Sequence, residues 1–130
     1  MASLWKEASF KTGYGHIAAK VWGDAVHAAQ RFLAVHGWLD NAGTFDPLME
    51  RFMKTGWYRC PSFLYQSLLL AVTIRVIVID NRCVVCLDLP GHGLSSHHPK
   101  GIPYSPPSDI QAMRTVAKDL GWEKYSLLGK

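Results

Sequence analysis

The sequence predicts an α/β fold built on a mostly parallel sheet, and three observations carry that expectation. Residues 31–36, 84–89 and 125–128 are short apolar runs of the kind that fit buried strands. Between the last two, Ile110, Met113, Val116, Ala117 and Leu120 recur at helical spacing. Two of the apolar runs break abruptly into loops of His and Gly, at 36–41 and 90–96. Strand, helix, strand order with apolar strands is the signature of a parallel sheet joined by helical crossovers.

The elements follow in order. Residues 10–23 read as a hairpin with Tyr14-Gly15 at its turn, since 16–22 partly alternate in polarity. Residues 24–30 fit a strand extension or a helical turn equally well. After the strand at 31–36, a helix is expected to start near Thr44, with Thr44 or Asp46 as its cap and Pro47 in its first turn. Leu48, Phe52 and Met49 are its expected inner face. The strand at 84–89 leads into a loop rich in Gly, His, Ser and Pro that runs to Pro107. Ser108 or Asp109 is expected to cap the helix that follows, and Gly121 to end it.

Composition narrows the function classes. The length fits one domain. The net charge of +4 is mild, and Lys and Arg are scattered rather than clustered, which argues against nucleic-acid binding. Three cysteines do not suggest a disulfide framework, so a reducing, intracellular and cytoplasmic setting is the simpler reading. Residues 1–10 have no long apolar core and include Glu7, unlike a secretory signal.

Cys83 and Cys86 spell CxxC, but they fall in a predicted strand. Residues three apart there point to opposite faces, so the thiols are expected to be buried separately. His92, His97 and His98 show no tetrahedral ligand spacing, and no metal site is expected.

Two stretches carry a family resemblance. Val35-His36-Gly37-Trp38-Leu39-Asp40-Asn41 and Asp88-Leu89-Pro90-Gly91-His92-Gly93-Leu94-Ser95-Ser96 together resemble the α/β hydrolases, and within them the serine hydrolase-like proteins. The resemblance covers residues 15–48 and 84–129. It implies the amino-terminal half of an α/β-hydrolase fold, incomplete as it stands. The segment 49–82 falls outside it and reads as a non-homologous insertion, of the kind alternative splicing introduces.

Residues 63–79, the most apolar part, are weakly readable as a membrane segment. They are short of the roughly 20 apolar residues that a span needs. They also hold Arg75, and a central charge costs roughly 2.5–3.5 kcal/mol. Membrane insertion is therefore not the expected reading.

The resemblance also implies chemistry: hydrolysis of ester or related acyl bonds of small molecules by a Ser-His-Asp triad, with no metal or organic cofactor. It implies that His36 and Gly37 shape a turn whose next residue, Trp38, offers a backbone N–H to an oxyanion. It places Asp88, Gly91, His92 and Gly93 at the active-site rim. Gly129 matches the first Gly of the nucleophile elbow Gly-x-Ser-x-Gly, and Lys130 stands where relatives often carry His. No serine of the elbow follows, so no catalytic residue is assigned and the chain is expected to be inactive. The alternative is a non-catalytic form that binds or interferes, or one associated with membrane through 63–79. Peroxisomal or vesicular association is a further implication of the resemblance. Substrate identity and oligomeric state stay open.

Overall fold

A computed structural model describes residues 5–55 and 81–130, the side chains of 53–55 excepted. The described part of the segment read as inserted, 49–82, consists of its ends; the apolar stretch at 63–79 lies outside the described residues, as does Cys60.

Five strands form one sheet: β1 (Trp5–Thr12), β2 (Gly15–Gly23), β3 (Gln30–Val35), β4 (Arg82–Leu87) and β5 (Ser126–Gly129), in the order β1-β2-β4-β3-β5. The hairpin β1–β2 closes Thr12 onto Gly15, so its two-residue turn is Gly13-Tyr14, one residue earlier than expected. β2 runs antiparallel to β4, whereas β4 and β5 both run parallel to β3. The sheet is thus mixed, with the three predicted parallel strands on one side of an antiparallel hairpin. β3 is the middle of the parallel set, and β5 forms an edge. Each of the three strands starts or stops one or two residues away from the apolar run that predicted it, because the ladder ends where the chain turns into its loop.

The two faces of the sheet bury different clusters. Ile17, Ala19, Leu33, Val85 and Leu87 pack beneath Ala112, Val116 and Ala117 of α2 (Pro106–Asp119). Trp22, Ala34, Val84 and Cys86 pack on the other face beneath Phe45 and Met49. Every residue of β4 is buried, which is why its sequence is apolar without alternation. Truncating the fully buried Leu33 to Ala at this junction would cost roughly 2–5 kcal/mol.

Helix boundaries differ from expectation for physical reasons. A 3-10 turn (Ala42–Phe45) precedes α1 (Asp46–Thr55), and its cap is Asn41, whose side chain accepts from the Gly43 N–H. Met49 and Phe52 turn inward as expected, but Leu48 is half-exposed on the other side. α2 starts at Pro106, not after Ser108. Ser105 is its cap, and the Ser105 N–H donates to Ser108 Oγ at 3.2 Å. Pro106 needs no N–H partner in a first turn, so the helix extends back to it. Ile110 faces solvent, contrary to its assigned inner position; Ala112 takes that place. Gly121, at φ +68°, ends α2 as expected: the Trp122 N–H reaches back to Ala117 O at 2.8 Å and the Gly121 N–H to Lys118 O at 3.0 Å. Asp24 caps a single helical turn at 25–28, closed by the Ala28 N–H to Asp24 O at 3.2 Å, and Gln30 already belongs to β3.

Candidate active site

The parallel register sets the site. Val35 of β3 pairs with Leu87 of β4 and with Gly129 of β5. All three strands therefore release their chains at one edge of the sheet, the carboxyl edge, where open α/β sheets place ligands.

His36 follows β3 and is almost wholly buried. Its Nε2 accepts from the Leu89 N–H at 3.1 Å, and its Nδ1 donates to Gly37 O at 2.8 Å. That pattern of one acceptor and one donor assigns the neutral Nδ1–H tautomer. Both nitrogens are occupied by backbone, so His36 braces one loop against the other and has no proton position left for a substrate. Gly37 passes close to β5: a Cβ there would lie 3.3 Å from Lys130 O.

Trp38 is 78 % exposed, and its ring stands edge-on to His92 at 5.9 Å. Its backbone N–H has no acceptor among the described residues. Leu39 is 80 % exposed and sits at φ +58°, a conformation that glycine tolerates and leucine resists. The Asp40 N–H then returns to Gly37 O at 3.3 Å and closes the turn.

The loop after β4 is held far more tightly. Asp88 is buried, with Oδ1 accepting from the Ala42 N–H at 2.7 Å and Oδ2 from the Leu94 N–H at 2.8 Å. Its carboxylate thus ties the 3-10 turn to the rim loop. Gly93, at φ +50°, passes over that carboxylate so closely that a Cβ would lie 2.2 Å from Oδ2. Gly91, at φ +75°, does the same against the Tyr104 ring, at 2.6 Å. His92 lies 5.1 Å from the His36 ring, and its Nδ1 donates to Pro90 O at 3.0 Å. His36, Gly37, Trp38, Asp88, Gly91, His92 and Gly93 are therefore brought to one edge of the sheet, with Gly129 beside them.

Several contributors were missed in the sequence. Ser95 Oγ donates to Asp88 O at 2.6 Å and accepts from the Ala18 N–H at 2.8 Å, stitching the rim loop to β2. Asp109, read only as a possible cap, has its carboxyl pushed up by burial, against the pull of His92, His98 and His36. A run of Gly, His and Ser signals a loop; nothing in it signals which hydroxyl is buried.

Among the described residues one Ser–His pair is formed: Ser96 Oγ lies 3.0 Å from His16 Nδ1, and His16 Nε2 donates to Leu94 O at 2.9 Å. Ser96 Oγ also accepts from the His16 N–H at 3.0 Å. The Gly15 backbone lies against this hydroxyl, since a Cβ on Gly15 would meet it at 2.3 Å. The pair joins the rim loop to the hairpin.

Cys83 and Cys86 enter opposite clusters, as strand geometry requires. Burial pushes both thiols up to about 12. Among the described residues no three His, Cys, Asp or Glu side chains come together as a metal-binding group, and no helix is long and apolar enough to cross a membrane.

No family model matches the sequence. A human "Serine hydrolase-like protein" is 32% identical over 126 residues, covering 97% of this chain and 48% of the relative. A "Probable serine hydrolase" of Drosophila melanogaster is 33% identical over 126 residues, covering 96% of this chain and 30% of the relative. The chain thus spans about a third to a half of the length of such curated relatives. Among solved structures, a hypothetical protein of Pseudomonas aeruginosa PAO1 superposes with a TM-score of 0.68 at 27% identity, over 95% of this chain and 34% of that one. An α/β hydrolase of Novosphingobium aromaticivorans gives 0.68 at 14% identity, over 98% of this chain and 35% of its own, a likeness of fold alone. By sequence and by fold, this chain is a relative of the serine hydrolase-like proteins within the α/β-hydrolase family, matching a part of their length.

Proposed function

We propose that these residues supply the oxyanion loop and the active-site rim of a serine hydrolase acting on ester or related acyl bonds of small molecules. The observation that carries the reading is the pairing of Val35 with Gly129, which sets the turn at 36–38 beside the exit of β5. Trp38 is exposed there, and its N–H has no acceptor among the described residues. Gly129-Lys130 is read as the start of a nucleophile elbow.

In such a site, a serine following Lys130 would attack the acyl carbon. The carbonyl oxygen would gain negative charge and take a hydrogen bond from the Trp38 N–H. A second donor would come from the residue after the nucleophile. His36 takes no part in proton transfer; its role is to hold the donor loop on Leu89. Asp88, Gly91, His92 and Gly93 shape the wall facing the acyl group. Among the described residues, none is assigned here as nucleophile, base or orienting acid.

The test has two arms. The 130-residue chain should hydrolyse no activated ester above buffer and take no label from a fluorophosphonate probe. Grafted in place of the matching part of the human relative, it should support labelling at the elbow serine. Trp38→Pro, which removes the N–H, should slow that labelling on the order of 10²-fold. A folded graft whose labelling ignores Trp38→Pro would sink the reading.

A further inference from the structure

We propose that Lys130 is a positioning residue that clamps the turn after His36-Gly37 to the end of β5. Three of its groups take part. Its backbone N–H donates to Val35 O at 3.3 Å, which extends the β3–β5 ladder by one residue. Its carbonyl oxygen lies in the gap left by Gly37, where a Cβ would come within 3.3 Å. Its Nζ then reaches back across the turn and donates both to Thr44 Oγ1 and, at 3.4 Å, to Asp40 Oδ2.

The ion pair is exposed, and its geometry is what matters. Asp40 closes the turn through its own N–H to Gly37 O, and Thr44 closes the next one through its N–H to Asn41 O at 3.1 Å. One ammonium thus holds the side chains of the two residues that end consecutive turns. Between Gly37 and Asp40 lie Trp38, whose N–H has no acceptor among the described residues, and Leu39, at an unfavourable positive φ. A loop that contains a strained non-glycine residue needs support from outside itself. The buried Asp88 supports it through Ala42, and Lys130 supports it through the side chains of Asp40 and Thr44. The carboxyl of Asp40 is accordingly held below the ordinary carboxylate range by the Asn41 N–H first, with Thr44 and Lys130 adding to it.

The inference rests on the reading of Gly129-Lys130 as the first two residues of an elbow. In that reading, Lys130 couples the residue before the nucleophile to the loop that carries the oxyanion donor. The distance between attacking atom and donor would then be set by one side chain of this chain's own.

The experiment reads amide hydrogen exchange on the full 130-residue chain and its variants. Lys130→Met keeps the aliphatic stem and removes the ammonium. It should speed exchange at the Asp40 and Thr44 amides by about two- to fivefold, the size expected for an exposed charged contact. The Val85 and Leu87 amides of the buried β4 should not move. Lys130→Arg should restore the slow rates. Unchanged Asp40 and Thr44 rates in Lys130→Met would overturn the clamp. So would an equal rise at Val85 and Leu87, which would make Lys130 a contributor to overall stability only, or a failure of arginine to rescue. The outcome is independent of the labelling test above: an unlabelled graft would refute the elbow while leaving the exchange result standing, and the reverse also holds.

Discussion

The loops that leave β3 and β4 start side by side at one edge of the sheet and are built in opposite ways. The loop after β4 is bound by buried side chains: both oxygens of Asp88, the hydroxyl of Ser95 and the imidazole of His36 all take or give bonds to backbone. Its glycines adopt the positive φ values that the tight path requires. The loop after β3 is bound mostly at its ends and exposes Trp38 and Leu39 between them. It assigns its positive φ to a leucine. A wall has to be rigid, and a donor N–H has to be left unspent. In the proposed reading, the loop after β4 is the scaffold and the loop after β3 is the part presented to a ligand.

The largest effect should come from breaking the scaffold. Asp88→Ala strands the buried Ala42 N–H and the part-buried Leu94 N–H, which should cost on the order of 2–3 kcal/mol in urea unfolding. A loss below about 1 kcal/mol would mean that water replaces the carboxylate and that the two loops are less different than they look.

Gly93→Ala probes the same loop with one carbon. The added Cβ collides with Asp88 Oδ2 at a φ that alanine resists, so a loss of roughly 1–3 kcal/mol is expected by the same measurement. Leu39→Gly should act in the opposite direction on the other loop. Relief of the left-handed strain offsets the entropy that glycine adds, giving a gain of up to about 1 kcal/mol in thermal unfolding. A clear loss would show that Leu39 is held by packing not evident from its exposure.

The smallest effect concerns pH. The Asp40 carboxyl is held below its ordinary value in the folded chain, so its contribution is present above the ordinary carboxylate range and fades as pH falls through the lowered value. Asp40→Asn should therefore lower the melting temperature slightly at pH 7, and the gap to the parent should close toward pH 3. A gap that persists in acid would assign the effect to shape and not to charge.

The strands and α2 were legible because their signals are local. Residues 31–36 and 84–89 are apolar without alternation, since both faces of the sheet are covered there. The separation of Cys83 from Cys86 followed from the two-residue repeat of a strand alone. The caps were less legible. Ser105, Ser108 and Asp109 are all competent, and the choice fell to Ser105 because Pro106-Pro107 suits the first turn. Leu48 and Ile110 were misplaced because an apolar residue beside a helix's inner stripe carries no mark of which neighbour turns in. At the site, the family resemblance indicated that the turn at 36–38 and the rim at 88–93 belong together. It gave no means to see that His36 bridges them, because Leu89 is 53 positions away and contributes only a backbone N–H.

What the sequence determined by itself is the alternation of apolar strand and amphipathic helix, and the glycines that allow the chain to turn sharply after β4. These depend on interactions within a few residues. What only the tertiary structure decided is the sheet order, with β3 between β4 and β5, and the partners of buried polar atoms. The register that aligns Val35 with both Leu87 and Gly129 creates one edge from three distant segments. A buried carboxylate such as Asp88 then takes whichever N–H groups that edge brings to it, since leaving either unpaired would cost more than any local preference can return.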